Sequence, residues 1–109
     1  METSPPEPEP TRYEHAGIVM DRLKRRVTVD GQPVGLTARE FALLELFLGQ
    51  RGQVLTRECI AGLIWETNAT SLATNLIDVY VLRLRKKLLT GDRASPGIHT
   101  LRGIGYMLD

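Results

Sequence analysis

The stretch YVLRLRKKL, residues 80–88, decides how the fold is interpreted, because it fits both a strand and a helix. Leucine and arginine alternate over residues 82–85, as in a half-buried strand, but such alternation over four residues is weak evidence. The longer window places four apolar residues at helical spacing, namely Ile77, Val81, Leu84 and Leu88. At about 100° per residue they fall within a stripe about 60° wide, which predicts a helix over about residues 72–89.

The opposite side of this helix carries bases beside small or apolar residues. It holds Asn75, Val79, Leu82, Arg83 and Lys86. A merely solvated surface usually mixes charges of both signs. We therefore interpret this side as a surface for phosphates and base edges, although Arg85 and Lys87 also fit plain solvated charges. Asp78 is expected to pair with a nearby arginine or backbone donor, since a carboxylate facing phosphates would repel them.

Charge is distributed unevenly along the 109 residues, which are enough for one domain with one modest core. The first ten, METSPPEPEP, hold three acids, no base and four of the six prolines, so we predict a disordered linker over residues 1–12 and one folded domain over 13–109. The whole chain has a net charge of +1, and without those three acids the rest carries +4. Bases outnumber acids six to three from residue 72 onward, which predicts a basic face.

Several functional classes lack support in the sequence. Paired carboxylates, an activated nucleophile and a phosphate-binding glycine loop are absent, so no enzyme is predicted. Cys59 lies in an apolar-spaced helical pattern and is expected to be buried, and His99 is expected to be an exposed strand residue. Together with His15 they lack metal-ligand spacing, so neither a metal nor another cofactor is predicted. No apolar run approaches a membrane helix of about 20 residues and no signal-peptide core is present, which predicts a cytoplasmic protein.

The segment between the linker and the helices predicts a small antiparallel sheet over about residues 16–36. Val27 and Val29 alternate with Thr28, and Asp30 followed by Gly31 is a strong hairpin-turn signal. The bases around the first turn are expected to be solvated loop charges. They are Arg22, Lys24, Arg25 and Arg26.

Two shorter helices are predicted next. Thr37 with Glu40 three residues later forms a capping box, and Thr56 is a second N-cap. Apolar residues follow at helical spacing, Phe41, Leu44, Phe47 and Leu48 in the first helix and Ile60, Leu63 and Ile64 in the second. The second helix is expected to end near Trp65, before the polar loop ETNATS at residues 66–71.

The C-terminal stretch IHTLRGIGYMLD, residues 98–109, predicts a hairpin. Gly103 and Gly105 bracket Ile104, so the chain reverses tightly with Arg102 at the edge of the turn. An N-terminal antiparallel sheet, three helices and a C-terminal β-hairpin wing define an α+β fold, the winged helix-turn-helix.

Three stretches in this order carry a resemblance to a known family. LTAREFALLELFL at residues 36–48, RLRKKL at 83–88 and IHTLRGIGY at 98–106 closely resemble the DNA-binding effector domain of OmpR/PhoB-type bacterial response regulators. The resemblance covers about residues 16–108. The sequence ATNLIDVYV at residues 73–81 is most similar to the heavy-metal-responsive branch of the family, in which a partner kinase would sense the metal.

The resemblance implies that the third helix enters the major groove and the wing the minor groove. The implied DNA-binding set is Trp65, Asn75, Val79, Leu82, Arg83, Arg85, Lys86, Thr100, Arg102, Gly103 and Tyr106. Within this set, Arg83 would contact bases, Arg102 would enter the minor groove, and Arg85, Thr100 and Tyr106 would contact phosphates. Physical chemistry agrees for the first two, because guanidinium forks fit guanine and a narrow A·T-rich minor groove attracts arginine. Leu82 and Asn75 stand where some members carry arginine, so the target sequence cannot be copied from that of a relative.

The family also implies partners. The polymerase-contacting loop would comprise Glu66, Thr67, Asn68, Ala69, Thr70 and Ser71. A receiver domain and a sensor kinase are expected in the full-length protein, which would bind direct-repeat half-sites of double-stranded DNA. The isolated domain is expected to be a monomer without a membrane partner. Two alternatives stay open: a winged-helix module for protein contacts, favoured by Val79 and Leu82, and a stand-alone regulator without a receiver domain.

Overall fold

The computed structural model of the protein describes residues 11–65, 71–89 and 97–109, and residues 1–10 of the linker predicted at 1–12 lie outside this part. The described chain begins with an antiparallel sheet whose strands are neighbours in chain order. They are β1 Arg12–His15, β2 Ile18–Asp21, β3 Arg26–Val29 and β4 Gln32–Val34. The predicted sheet is confirmed, but it begins at Arg12 rather than at residue 16, because the left-handed backbone of Ala16 and Gly17 turns β1 back onto β2.

The helices in the described residues are those that the sequence predicted. They are α1 Ala38–Gly49, α2 Arg57–Trp65 and α3 Ser71–Leu88. All four apolar residues of the α3 stripe are fully buried, which confirms the helical interpretation of residues 80–88. They pack with apolar side chains of α1 and of the N-terminal sheet into one core. The core thereby fixes which side of α3 faces outward.

The start of α1 is stabilised as the capping box predicts. The Thr37 hydroxyl accepts from the Glu40 amide at 3.2 Å, and the Glu40 carboxylate accepts from the Thr37 amide at 2.9 Å. Glu40 is 2% exposed, and its carboxylate also accepts a hydrogen bond from the Lys87 ammonium of α3. Burial alone would raise the pKa of Glu40, but the bonds from Lys87 and Thr37 outweigh burial and lower this pKa. Lys87 is thus a structural partner of α1 and not a plain solvated charge.

The turn between β2 and β3 holds two bases that are not simply solvated. Arg22 Nε lies 2.8 Å from Glu45 Oε2 of α1. The Arg25 guanidinium lies 4.1 Å from the centroid of the Phe41 ring, within cation–π distance. The expectation of solvated loop charges is therefore wrong for Arg22, whereas Arg25 is exposed but also contacts α1 through Phe41. Lys24 and Arg26 are exposed.

Helix α2 turns only part of the predicted side to the core, because Ile60 is buried and Ile64 half-buried as predicted, whereas Leu63 is exposed. Cys59 is exposed and Leu63 is 58% exposed, whereas Ile60 and Ala61 are fully buried. The Thr56 hydroxyl accepts from the Cys59 amide at 3.1 Å, which sets the register of the first turn. Cys59 then points about 150° away from the middle of the buried side. The prediction of a buried Cys59 is wrong for this reason.

A second antiparallel sheet forms the wing. Its strands lie in the order β5, β7, β6, where β5 is Leu55–Thr56, β6 is Ile98–Leu101 and β7 is Gly105–Leu108. The predicted hairpin is confirmed, and β5 is an addition that joins the wing to the chain just before α2. In the described residues, no helix combines the length and apolar character that crossing a bilayer requires.

Candidate nucleic-acid interface

The solvent-facing side of α3 carries the predicted bases. Arg83 and Lys86 are exposed, and Val79 and Leu82 beside them are 41% and 51% exposed. The Arg83 guanidinium lies 5.7 Å from the centroid of the Tyr80 ring, a contact that restricts its motion. This side therefore presents two cations and two apolar side chains together, as the sequence predicted.

The wing tip is a second exposed feature. A hydrogen bond of 2.9 Å from the Ile104 amide to the Leu101 carbonyl closes the turn, and Gly103 adopts a left-handed backbone with φ 74°. Arg102 and Ile104 are exposed there. His99 is exposed as predicted, and its Nε2 lies 2.6 Å from Asp109 Oδ1.

Arg85 leaves the outward side of α3 and reaches the wing. Its Nε donates to the Ile98 carbonyl at 3.1 Å, and its Nη2 donates to the Thr100 hydroxyl at 2.6 Å. The guanidinium also lies 5.4 Å from the centroid of the Tyr106 ring. Two residues expected to contact phosphates separately are thus bonded to each other, and Arg85 is not a plain solvated charge.

Asp78 connects α2, α3 and the wing. Its Oδ1 lies 2.9 Å from Arg57 Nε and also accepts a hydrogen bond from the Tyr106 hydroxyl. The prediction that Asp78 pairs with an arginine is confirmed. Burial is the larger cause that raises the pKa of Tyr106, and the hydrogen bond to Asp78 raises this pKa further. The hydrogen bond from Arg57 to Asp78 raises the pKa of Arg57. Both donors therefore stay protonated at neutral pH.

The position of Tyr106 does not match its expected role as a phosphate contact. Its side chain is 4% exposed, and a phosphate contact would require its hydroxyl to leave Asp78.

Sequence reasoning also missed Arg57, although a signal existed. Arg57 shares one helical side with Ile60 and Ile64, and a base on the buried side of a helix needs an acidic partner.

Part of the predicted set lies outside the described residues. This applies to the side chains of Trp65 and Asn75 and to residues 66–70 of the predicted polymerase-contacting loop. Ser71, placed in that loop by the sequence, is instead the first residue of α3.

A sheet, helices that present an outward basic side, and a hairpin bonded to the last helix together define a winged helix-turn-helix. Residues 31–108 match the family model described as "Transcriptional regulatory protein, C terminal". The chain belongs to this family, and its resemblance to OmpR/PhoB-type effector domains is confirmed.

Relatives and solved structures agree with this assignment. The transcriptional regulatory protein CusR of Escherichia coli strain K12 is 43% identical over 99 residues, which cover 91% of this chain and 43% of CusR. This chain thus spans less than half of that relative. The crystal structure of the DNA-binding domain of CpxR from E. coli is 32% identical with a TM-score of 0.77, covering 89% of this chain and 94% of that domain. The Klebsiella pneumoniae RstA DNA-binding domain in complex with the RstA box is 26% identical with a TM-score of 0.78, covering 89% and 95%.

Proposed function

We propose that this domain binds double-stranded DNA sequence-specifically, as the output domain of a response regulator that controls transcription. The observation that carries the proposal is the outward side of α3, where exposed Arg83 and Lys86 flank exposed Val79 and Leu82. An apolar core behind the helix fixes this orientation. Family membership and the DNA complex of the structurally similar RstA domain support the same function.

The two exposed features suit the two grooves of B-DNA. Helix α3 would enter the major groove, where the Arg83 guanidinium matches guanine O6 and N7 and the side chains of Val79 and Leu82 match thymine methyl groups. Arg102 at the wing tip would enter the adjacent minor groove, whose negative potential is strongest where it is narrow. Lys86 would neutralise phosphate along the groove edge.

We expect binding to weaken steeply with salt, because each neutralised phosphate releases condensed counterions. With about five or six phosphate contacts, the slope of log association constant against log salt concentration should be about −4 to −5. Fluorescence anisotropy of a labelled duplex over a salt series measures this slope. A slope shallower than about −2 would contradict docking in the groove.

The second candidate function is a protein-interaction module without DNA binding. The exposed Val79 and Leu82 favour it, since apolar side chains on an outward helix side also suit a protein partner. Binding of random-sequence duplex at low salt separates the two functions, because electrostatic attraction to phosphates does not depend on sequence. No binding under those conditions would favour the protein-interaction module.

We also propose, from family membership, the partners and the cellular location of the full-length protein. The full-length protein would carry a receiver domain controlled by a sensor kinase, and residues 66–71 would contact RNA polymerase. The resemblance at residues 73–81 assigns it to the heavy-metal-responsive branch. It would act in the cytoplasm, where bacterial DNA lies, and we assign it no enzymatic activity.

We further expect the isolated domain to be a monomer that loads two direct-repeat half-sites about one helical turn apart with weak cooperativity. The apolar stripes of α1 and α3 are used in one core, and the exposed apolar Val79 and Leu82 lie on the side of α3 that would face the DNA groove. Sedimentation without DNA and gel shifts on one or two half-sites measure both properties. A stable dimer in the absence of DNA would contradict this expectation.

A further inference from the structure

We propose that Arg85 and Thr100 position the wing against α3 before DNA binds, so that binding in the two grooves is coupled. The inference deepens the proposed function and rests on it. It adds a positioning role to the phosphate contacts that the family resemblance implied for both residues.

The first support is the way Arg85 holds β6. Two of its N–H groups donate to oxygens on one strand, the Ile98 carbonyl at 3.1 Å and the Thr100 hydroxyl at 2.6 Å. These two oxygens belong to residues two apart on β6, so the planar guanidinium spans this part of the strand as a fork. The remaining N–H groups of Arg85 and the Thr100 O–H stay available to a phosphate, so positioning and a phosphate contact are compatible.

The second support is that Arg85 also contacts the other wing strand. Its guanidinium lies 5.4 Å from the centroid of the Tyr106 ring, and Tyr106 is the cross-strand partner of Thr100. Arg85 therefore touches β6 and β7 at the same rung of the hairpin. The hairpin is held there as a unit.

A second attachment lies further along α3. The Tyr106 hydroxyl donates to Asp78, which is itself held by Arg57 of α2. Asp78 and Arg85 are seven residues apart, or about 10.5 Å along the helix axis. Tyr106 is therefore held from both ends of this span, by the Arg85 guanidinium over its ring and by Asp78 at its hydroxyl, which restricts the angle of the hairpin on α3. The angle decides where Arg102 lies relative to the groove that α3 occupies.

Fixing this angle before binding lowers the entropic cost of placing Arg102 in the minor groove. Loss of the Arg85–Thr100 bond should therefore weaken binding through Arg102. We expect Thr100→Val and Arg85→Lys each to lower affinity for a site with an A·T-rich flank about three- to ten-fold. Arg85→Lys keeps the positive charge and loses the fork.

The test is a double-mutant cycle on one duplex with an A·T-rich flank and a matched duplex with a G·C-rich flank. If Arg85 and Thr100 act through the wing, Thr100→Val should have little effect once Arg102→Ala is present. Arg85→Lys, which keeps the charge, should likewise have little effect once Arg102→Ala is present. Thr28→Val, on the N-terminal sheet, is the matched control.

An equal effect of Thr100→Val with and without Arg102 would overturn the inference. Hydrogen exchange of the DNA-free domain tests the positioning independently, since Thr100→Val should speed amide exchange in residues 98–108 but not in residues 18–29. Unchanged exchange in the wing would also overturn the inference, and failure of the wild-type domain to bind duplex would count against the proposed function instead.

Discussion

Replacing Gly105 by alanine is expected to lower the free energy of unfolding by about 2–4 kcal/mol. A Cβ at this position would lie 2.0 Å from the Leu55 carbonyl oxygen, 2.8 Å from its carbon and 2.9 Å from the Thr56 Cα. All three are backbone atoms that cannot turn aside as a flexible side chain can. Strands β5 and β7 would have to separate, and β5 leads directly into α2. Urea unfolding followed by circular dichroism measures the loss.

Two other glycines provide matched controls for this prediction. Gly35 has an ordinary backbone and no atom within 4 Å of an added Cβ, so Gly35→Ala should change stability by less than about 0.5 kcal/mol. Gly103 also has open space around it but a φ of +74°, so Gly103→Ala should cost about 1 kcal/mol. A loss in Gly105→Ala no larger than that in Gly103→Ala would show that the close approach to β5 is not the cause.

The elements predicted well from sequence are those whose signals are local. The capping box of Thr37 and Glu40 is a pattern within four residues, and both of its hydrogen bonds are present. The apolar stripe of α3 extends over twelve residues, which is long enough to distinguish helical spacing from the alternation of a strand. The glycines around Ile104 likewise predicted the wing turn. Local geometry decides these features before any long-range contact forms.

The features that were missed depend on pairing between distant residues. Strand β5 has two residues and exists because it pairs with β7, about 50 residues away in sequence, which no periodicity reveals. The exposure of Cys59 and Leu63 was mispredicted because both are apolar by type, whereas α2 packs on the rest of the fold through Ile60 and Ala61. The residue types of Cys59 and Leu63 predicted burial, but their positions around the helix place them on its exposed side.

Arg85 shows how far a helical projection can predict a site. At about 100° per residue it lies about 70° from the middle of the buried stripe, whereas Arg83 lies about 130° away. Its position at the edge of the stripe predicts contact with a neighbouring element, and the structure shows that element to be the wing. The sequence pattern identified the bases of α3 but not the direction in which each long side chain extends.

Arg83→Ala is expected to cost about 1–3 kcal/mol of binding free energy on the cognate site and to reduce discrimination at one or two base pairs. The reason is that a guanidinium fork in the major groove donates two hydrogen bonds to guanine, which alanine cannot replace. Equilibrium binding to duplexes that carry every single-base change of the site measures both effects. Arg26→Ala is the matched control, because Arg26 is an exposed arginine on the N-terminal sheet, away from α3.

Arg102→Ala should behave differently, because the wing would contact the minor groove, where the pattern of base edges distinguishes A·T from G·C pairs but little else. We expect this variant to lose its preference for A·T-rich flanks while keeping discrimination at the positions that Arg83 contacts. The two arginines would then make separable contributions in two grooves of one site. If both variants lost affinity equally on cognate and random-sequence DNA, Arg83 and Arg102 would act only by neutralising phosphates, and the assignment of base contacts to Arg83 would be wrong.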